Sequence, residues 1–242
     1  IDDVRRIPEY VSHAFHVATS GRPGPVVLAL PEDMLAETAE VGDAPPVRPV
    51  AAKPAAEDMQ QVVAQLAQAQ RPLVLVGGGG WSEQAKAALE QFALAWQLPV
   101  ANSFRCQDYI DNLHPCYAGD LGIGPEPTLL RYVADADLVL AVNTRLDEMT
   151  TGDYSRLLPP APRQSLIHVH PDPNEIGRVY RPQLAVVSAA APFLGALAGM
   201  PPPARRPWAE VTQRLHAAQR RWRFEPQPSP GELQLARVVR EV

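Results

Sequence analysis

The first candidate for a binding site is a run of four consecutive glycines at positions 77–80. They follow the apolar segment 73–76 directly, and Ser82 then opens a pattern typical of a helix. Glycine lets the backbone approach a phosphate group closely, and the N-terminus of a helix offers free N–H groups with partial positive charge. The sequence therefore indicates a candidate nucleotide-binding turn between a buried strand and a helix.

Two further polar segments follow predicted strands. Residues 143–148 come after the apolar run 137–142, and residues 170–175 come after the run 166–169. In parallel α/β sheets the loops that follow the strands lie along one carboxyl edge, where such sheets bind their ligands. We therefore expect the glycine turn and both polar segments to lie at the same edge.

The elements that position these segments alternate along the chain. Short apolar runs indicate strands, and apolar residues at helical spacing indicate helices. The predicted strands are 73–76, 98–101, 137–142, 166–169 and 184–187, and residues 102–127 are predicted to form a long loop. The predicted helices are 59–66, 82–96, 129–133, 175–180 and 193–197. This alternation predicts an α/β fold, a doubly wound, mostly parallel Rossmann-like sheet of about five to six strands with helices on both faces.

The two ends of the chain carry elements outside this sheet. Pro8, Val11 and Phe15 predict a helix, and residues 26–30 predict a buried strand. One helix and one strand cannot bury a core, so residues 1–36 are expected to be the tail of another domain. Residues 37–54, rich in proline and alanine, predict a linker. Helices predicted over 208–222 and after a capping box at 229–232 would open a third part of a longer polypeptide.

Composition excludes several classes of function. The net charge of −5 argues against nucleic acid as the main partner, and no apolar run is long enough to span a membrane. Cys106 and Cys116 are too few for a disulfide framework, which favours a cytoplasmic location. No set of His, Cys or acidic residues stands at the spacing of a metal site, so no metal-binding residue is predicted.

The glycine turn does not complete the dinucleotide fingerprint. Ser82 stands where the third glycine of G-x-G-x-x-G belongs, and residues 99–102 supply no acid for a ribose hydroxyl. The glycines could serve only the close packing of a helix on a strand. An NAD-dependent deacetylase of the sirtuin type is disfavoured on the same grounds, and because the sequence has no Cys-x-x-Cys zinc pair.

A set of short motifs, each weak alone, resembles the thiamine-diphosphate-dependent enzyme superfamily and within it the acetolactate synthase-like large subunits. The motifs occur in the family's order along nearly the whole chain. They are Gly21-Arg22-Pro23-Gly24-Pro25, Pro31-Glu32-Asp33, Arg71-Pro72, His114-Pro115, Gly119-Asp120-Leu121-Gly122, Thr144-Arg145-Leu146-Asp147 and Glu175-Ile176-Gly177.

The resemblance implies three parts. Residues 1–36 would be the C-terminal tail of a pyrimidine-binding domain, followed by the linker 37–54. Residues 55–200 would be a central nucleotide-binding-like domain, and residues 201–242 a linker with the first helices of a pyrophosphate-binding domain.

For the longer protein, the resemblance implies thiamine diphosphate and Mg²⁺, and decarboxylation or carboligation of a 2-oxo acid by a lyase or transferase. It also implies a homodimer or homotetramer whose other domains belong to the same polypeptide. The family's activating glutamate and its Gly-Asp-Gly motif are not found in this sequence. No catalytic residue is therefore assigned, and the chain alone is expected to be structural rather than catalytic.

The resemblance also implies that acetolactate synthases hold FAD in the central domain, while relatives hold ADP or nothing. Carried over residue by residue, the nucleotide contacts would come from the glycine turn and from the loops after the third and fourth predicted strands. These cofactor-binding candidates are Gly77, Gly78, Gly79, Arg145, Asp172 and Glu175.

Several positions depart from the family pattern. Asn143 stands where a glycine is common, His170 replaces an aspartate, and Ser188 begins a segment that replaces a Gly-Asp pair. These departures weaken the expected contacts to flavin and adenosine. The alternative to a central domain is a stand-alone regulatory module that binds FAD, ADP or NAD.

Overall fold

The computed structural model describes residues 1–225, 230–232 and 234–241, and the chain forms two compact units divided after Ala52. The first unit carries helix α1, Ile7–Thr19, and the short helix α2, Glu32–Ala36. Pro8 lies in the first turn of α1, where its fixed φ angle suits the helix. Neither helix has a buried residue, so the first unit packs no core of its own.

The strand predicted over residues 26–30 is not formed, so this prediction is wrong. The segment makes no strand ladder with the described residues, and Val27 is 90% exposed. Backbone N–H and C=O groups of a strand need a neighbouring strand to pair with. Within the described part of the first unit there is no second strand to supply that partner.

The second unit is built on a six-stranded sheet in which neighbouring strands are parallel. The strands are β1 Pro72–Val76, β2 Val100–Asn102, β3 Tyr117–Asp120, β4 Leu138–Val142, β5 Ser165–His170 and β6 Leu184–Val187. Their order across the sheet is β3-β2-β1-β4-β5-β6. This is the doubly wound order, in which a crevice opens where the order reverses, between β1 and β4. The predicted fold class is confirmed.

Helices cover both faces of this sheet. They are α3 Ala56–Gln68, α4 Glu83–Trp96, α5 Pro127–Asp135, α6 Glu148–Thr151, α7 Ala190–Ala198, α8 Ala209–Phe224 and α9 Leu235–Glu241. Successive side chains of a strand point to opposite faces. Val74 and Val76 of β1 therefore join the core under α3, α4 and α7, while Leu73 and Leu75 join the core under α5 and α8. The Ser82 hydroxyl caps α4 as predicted, accepting the Ala85 N–H at 3.2 Å.

Two connections differ from the sequence prediction. The segment predicted as a loop over 102–127 contains β3, which pairs with β2 although it has only four residues and includes Gly119. The helix predicted over 175–180 is instead a series of turns. Gly177 takes a φ of 82° there, and a left-handed residue interrupts a right-handed helix.

Helix α8 packs along β3 and the end of α4. The Trp208 indole N–H donates to the Trp96 carbonyl at 2.9 Å, and the Thr212 hydroxyl donates to the Gln97 carbonyl at 2.9 Å. The His216 Nδ1–H donates to the Tyr117 carbonyl at 3.0 Å. These bonds join α8 to the end of α4 and to the edge strand β3, and α8 is part of the second compact unit.

The C-terminal end of the chain is described in part. Ser229, the first residue of the predicted capping box, lies outside the described residues, and α9 begins at Leu235. Over the ranges described, none of the helices combines the length and the apolar character needed to cross a membrane.

Candidate functional site

The three segments singled out in the sequence lie at one edge of the sheet, as predicted. The glycine turn follows β1, residues 143–148 follow β4, and the turns after β5 begin at Pro171; these three strands are neighbours. Two side-chain contacts join the segments directly, from Asn143 to Gly79 and from Arg145 to Glu175.

The first two glycines are required by close packing. Gly77 donates its N–H to the Val142 carbonyl at 3.1 Å, and a Cβ at this position would collide with the Ser103 hydroxyl. Gly78 has a φ of 73°, and a Cβ there would collide with the backbone carbonyl of Asn143. Gly79, by contrast, has open space where a Cβ would lie. The turn thus fits tightly between the ends of β2 and β4 at Gly77 and Gly78.

Side chains of the chain itself bond to the carbonyl groups of this turn. The Trp81 indole N–H donates to Gly77 at 2.8 Å, the Tyr109 hydroxyl donates to Gly78, and the Asn143 side-chain amide donates to Gly79. The Trp81 and Tyr109 rings stack, with centroids 4.6 Å apart and planes 16° from parallel. We call residues 77–80, with Trp81, Tyr109 and Asn143, the covered turn.

The environment of Tyr109 keeps its hydroxyl a donor. Burial raises the pKa of Tyr109 to about 12, and the nearby Cys106 thiol contributes in the same direction. The phenol therefore stays protonated across the physiological range, and its bond to the Gly78 carbonyl persists there.

A buried carboxylate organises the loops after β4 and β5. The Glu175 side chain is 6% exposed and accepts from two arginines, Arg145 at 3.2 Å and Arg178 at 2.9 Å. The arginines themselves are 41% and 57% exposed. A carboxylate so enclosed is stabilised when its oxygens are paired and hydrogen-bonded. The Arg145–Glu175 pair therefore joins the end of β4 to the turns after β5.

The predicted contact residue Asp172 shapes those turns. Its Oδ1 atom accepts the Asn174 N–H at 2.9 Å and the Asn174 side-chain amide at 3.0 Å. Its own N–H donates to Nδ1 of His170 at 3.1 Å. The same Nδ1 lies 3.1 Å from the Asp172 carbonyl, so His170, which replaces the family's aspartate, contacts the backbone of Asp172.

His168 bonds to the same loop from the interior. Its Nε2 lies 2.9 Å from the Thr144 carbonyl, and because a carbonyl only accepts, this nitrogen carries the proton. Burial lowers the pKa of His168, so the ring is neutral at pH 7. Its Nδ1 is buried and has no hydrogen-bond partner within the described part of the chain. Asn143, Thr144 and Arg145, three consecutive residues, therefore contact three different segments of the edge.

Sequence reasoning missed Trp81, Tyr109 and Ser103. Trp81 stands one residue after the glycines, and a large aromatic at that position is a usable signal that the turn is covered. Tyr109 lies 31 residues beyond Gly78, in a segment without periodicity, and gives no such signal. Ser103 is recognisable only from its collision with a Cβ at Gly77.

The site does not fit the groups that the resemblance implies. Trp81, Tyr109 and Asn143 bond to carbonyl groups of the turn, and Glu175 and Asp172 are engaged by neighbouring protein groups. Asp120, in the segment that superficially resembles a diphosphate motif, accepts the Gly122 N–H instead. Across the described ranges, no cluster of three or more His, Cys, Asp or Glu side chains is placed to hold a metal ion. Of the predicted contact residues, Arg145, Asp172 and Glu175 thus bond to other protein groups.

Comparison with known families gives one match over more than half of the chain. The family described as "Thiamine pyrophosphate enzyme, central domain" matches residues 59–197. This range contains the whole six-stranded sheet and helices α4 to α6, together with most of α3 and α7.

Curated proteins of similar sequence are longer than this chain. The isozyme 2 large subunit of acetolactate synthase from Escherichia coli is 30% identical over 240 residues, covering 96% of this chain and 41% of that protein. Glyoxylate carboligase from Escherichia coli O157:H7 is 32% identical over 239 residues, 92% of this chain and 39% of that protein. The acetolactate synthase large subunit of Corynebacterium glutamicum is 31% identical over 198 residues, 79% and 31% respectively. The chain thus spans about two fifths or less of these relatives.

Proposed function

Since the chain belongs to the thiamine pyrophosphate enzymes and contains their central domain, we propose that it works as the structural centre of an enzyme that acts on 2-oxo acids. The relatives named acetolactate synthase and glyoxylate carboligase support this class of reaction. The single observation that carries the proposal is the match of residues 59–197 to the central domain.

Within that enzyme, we assign this chain a positioning role. Residues 1–36 would end a pyrimidine-binding domain, 37–54 would be the linker, and 55–200 the central domain. Residues 201–242 would lead to a pyrophosphate-binding domain, with α8 joined to the end of α4 through Trp208 and Thr212 and to β3 through His216. The central domain would connect these flanking parts along the chain.

Thiamine diphosphate would supply the electron sink for loss of CO₂ from the 2-oxo acid when it is bound. The family's Gly-Asp-Gly motif is not found in this sequence, and across the described residues no group of three or more His, Cys, Asp or Glu side chains is placed to hold Mg²⁺. We therefore place both sites in the part of the polypeptide that relatives have and this chain does not cover. A homodimer or homotetramer and a cytoplasmic location are part of the same proposal; the free thiols Cys106 and Cys116 support the location.

The proposal is tested with a polypeptide that contains this chain and extends to the length of its relatives. Release of CO₂ from pyruvate or glyoxylate is measured with thiamine diphosphate and Mg²⁺, and after both are removed by dialysis against a chelator. We expect release that depends on the cofactor. An extended protein that binds thiamine diphosphate but releases no CO₂ from any 2-oxo acid would refute the proposed reaction class.

A further inference from the structure

We propose that the covered turn is closed to nucleotides by the chain's own side chains, and that Asn143 and Trp81 are the residues that close it. The family position suggests a nucleotide site here, whereas the side chains occupy that position themselves. The proposal concerns the edge after β1, β4 and β5, and it does not depend on the reaction proposed above.

Two aromatic rings lie against the turn. A nucleotide diphosphate that binds such a turn lies against the backbone between the strand and the following helix. Trp81 is held over this backbone by its hydrogen bond to Gly77, and its ring stacks on Tyr109 at 4.6 Å. The Tyr109 hydroxyl is itself bonded to Gly78. Both rings are thus held against the carbonyl groups of the first two residues of the turn.

Asn143 has a left-handed backbone conformation and contacts the turn with its side chain. Its φ is 59°, a left-handed value that glycine adopts freely and asparagine tolerates better than most residues. Its side-chain amide bonds to Gly79, and its backbone carbonyl lies against Gly78. Glycine at this position would keep the backbone and remove the bond to the Gly79 carbonyl. Asparagine therefore fastens the turn after β1 to the end of β4.

The two predicted acidic residues at the same edge are already hydrogen-bonded to protein groups. Ribose hydroxyls are usually held by carboxylates near the strand ends. The Glu175 oxygens accept from Arg145 and Arg178, at 3.2 and 2.9 Å. Asp172 accepts from both the backbone and the side chain of Asn174. Glu175 and Asp172, the two predicted acids of this edge, are therefore both engaged by protein groups.

The experiment opens the turn and measures binding of ADP and of FAD. Asn143→Gly removes the side-chain amide at a φ that suits glycine, and Trp81→Ala removes half of the aromatic cover. The matched controls are Gln97→Gly, which replaces another residue of positive φ (56°) at the end of α4, and Trp222→Ala, which removes a 41% exposed indole from α8. Each protein is titrated by equilibrium dialysis, and far-UV circular dichroism confirms its fold.

We expect the native chain and both controls to show no saturable binding up to about 1 mM ligand, and the double variant Trp81→Ala/Asn143→Gly to gain affinity by about tenfold or more. If the double variant does not fold, the single variant Asn143→Gly must show a gain in the same direction. Saturable micromolar binding by the native chain overturns the proposal. So does a folded opened variant that binds no better than its controls.

Discussion

Asn143 reaches from the end of β4 to the turn after β1, where its side-chain amide donates to the Gly79 carbonyl. The two residues are 64 positions apart in the chain, yet they join neighbouring strands at the point where the sheet order reverses. In doubly wound proteins this point is the usual ligand crevice. Here the crevice contains a contact between two parts of the protein, and the stability of the fold should depend on it.

The two left-handed glycines of the turn should differ in their response to alanine. Gly78→Ala adds both backbone strain at a φ of 73° and a collision with the Asn143 carbonyl. We expect a loss of about 3 kcal/mol or more in the free energy of unfolding. Gly80→Ala, at a φ of 74° with open space around it, should cost only about 1 kcal/mol. Urea unfolding of both variants measures the difference, and equal losses would show that Asn143 does not crowd the turn.

A second prediction concerns the buried carboxylate. Glu175→Gln leaves Arg145 and Arg178 without their shared anion and presents an amide N–H₂ to one of them. We expect a loss of about 2 kcal/mol in unfolding free energy, because the replaced group is buried and charge-paired.

The control is Glu210→Gln on α8. Glu210 pairs with Arg214, and both side chains are exposed to solvent. That change should alter stability by no more than about 0.5 kcal/mol. If the two variants unfold at the same urea concentration, Glu175 does not organise the edge.

The pH dependence of stability should report His168. Burial lowers its pKa in the folded protein below the ordinary value of 6.5, so below that pH the unfolded chain binds a proton that the folded chain does not. The contribution of neutral His168 to the free energy of unfolding is therefore fully present above pH 6.5. It is lost as the pH falls toward the pKa of His168 in the folded protein, at up to about 1.4 kcal/mol per pH unit.

The measurement compares unfolding free energies at pH 7 and pH 5.5 for the native chain and for His168→Gln. The variant should lose less stability on acidification than the native chain. His16→Gln, at an exposed position of α1, is the control and should keep the native slope. A His168→Gln slope equal to the native one would place the proton uptake at another group, such as His114, whose pKa is also lowered by burial.

A fourth prediction tests whether α8 is part of the sheet unit. Trp208→Phe keeps a large ring but leaves the Trp96 carbonyl without its indole donor in a fully buried position. We expect a loss of about 1–3 kcal/mol in a single unfolding transition. Trp222→Phe, on the exposed side of α8, should be nearly neutral. Separate unfolding of α8 before the sheet, seen by tryptophan fluorescence, would contradict the assignment.

The sequence was informative where local pattern and tertiary structure agree. The run Leu138–Val142 is apolar on both faces and predicts a central parallel strand, which β4 is. Residues 117–120 have no such run, and β3 forms there because β2 and α8 offer it a pairing edge and a cover. Conversely, residues 26–30 have the apolar pattern of a strand but no neighbouring strand with which to pair. Gly177, with its positive φ, interrupts a helix that the surrounding residues favour.

At the edge, the sequence placed the right segments but not their contacts. The resemblance selected Gly77, Gly78, Gly79, Arg145, Asp172 and Glu175 as nucleotide contacts. The fold brings them together, yet the hydrogen bonds from Tyr109 and Asn143 run over 31 and 64 residues and are invisible to local pattern. A family motif predicts where a binding site lies. Which side chains contact that site depends on residues that are distant in the sequence.

We propose that this chain provides the central part of a thiamine-diphosphate enzyme and that the cofactor site lies elsewhere in the polypeptide. The most direct measurement is the melting temperature of the 242-residue chain with and without thiamine diphosphate and Mg²⁺. A ligand that binds the folded state raises the melting temperature in a saturable way. We predict no shift for this chain and a clear shift for the extended polypeptide. A saturable shift in the 242-residue chain alone would contradict the account.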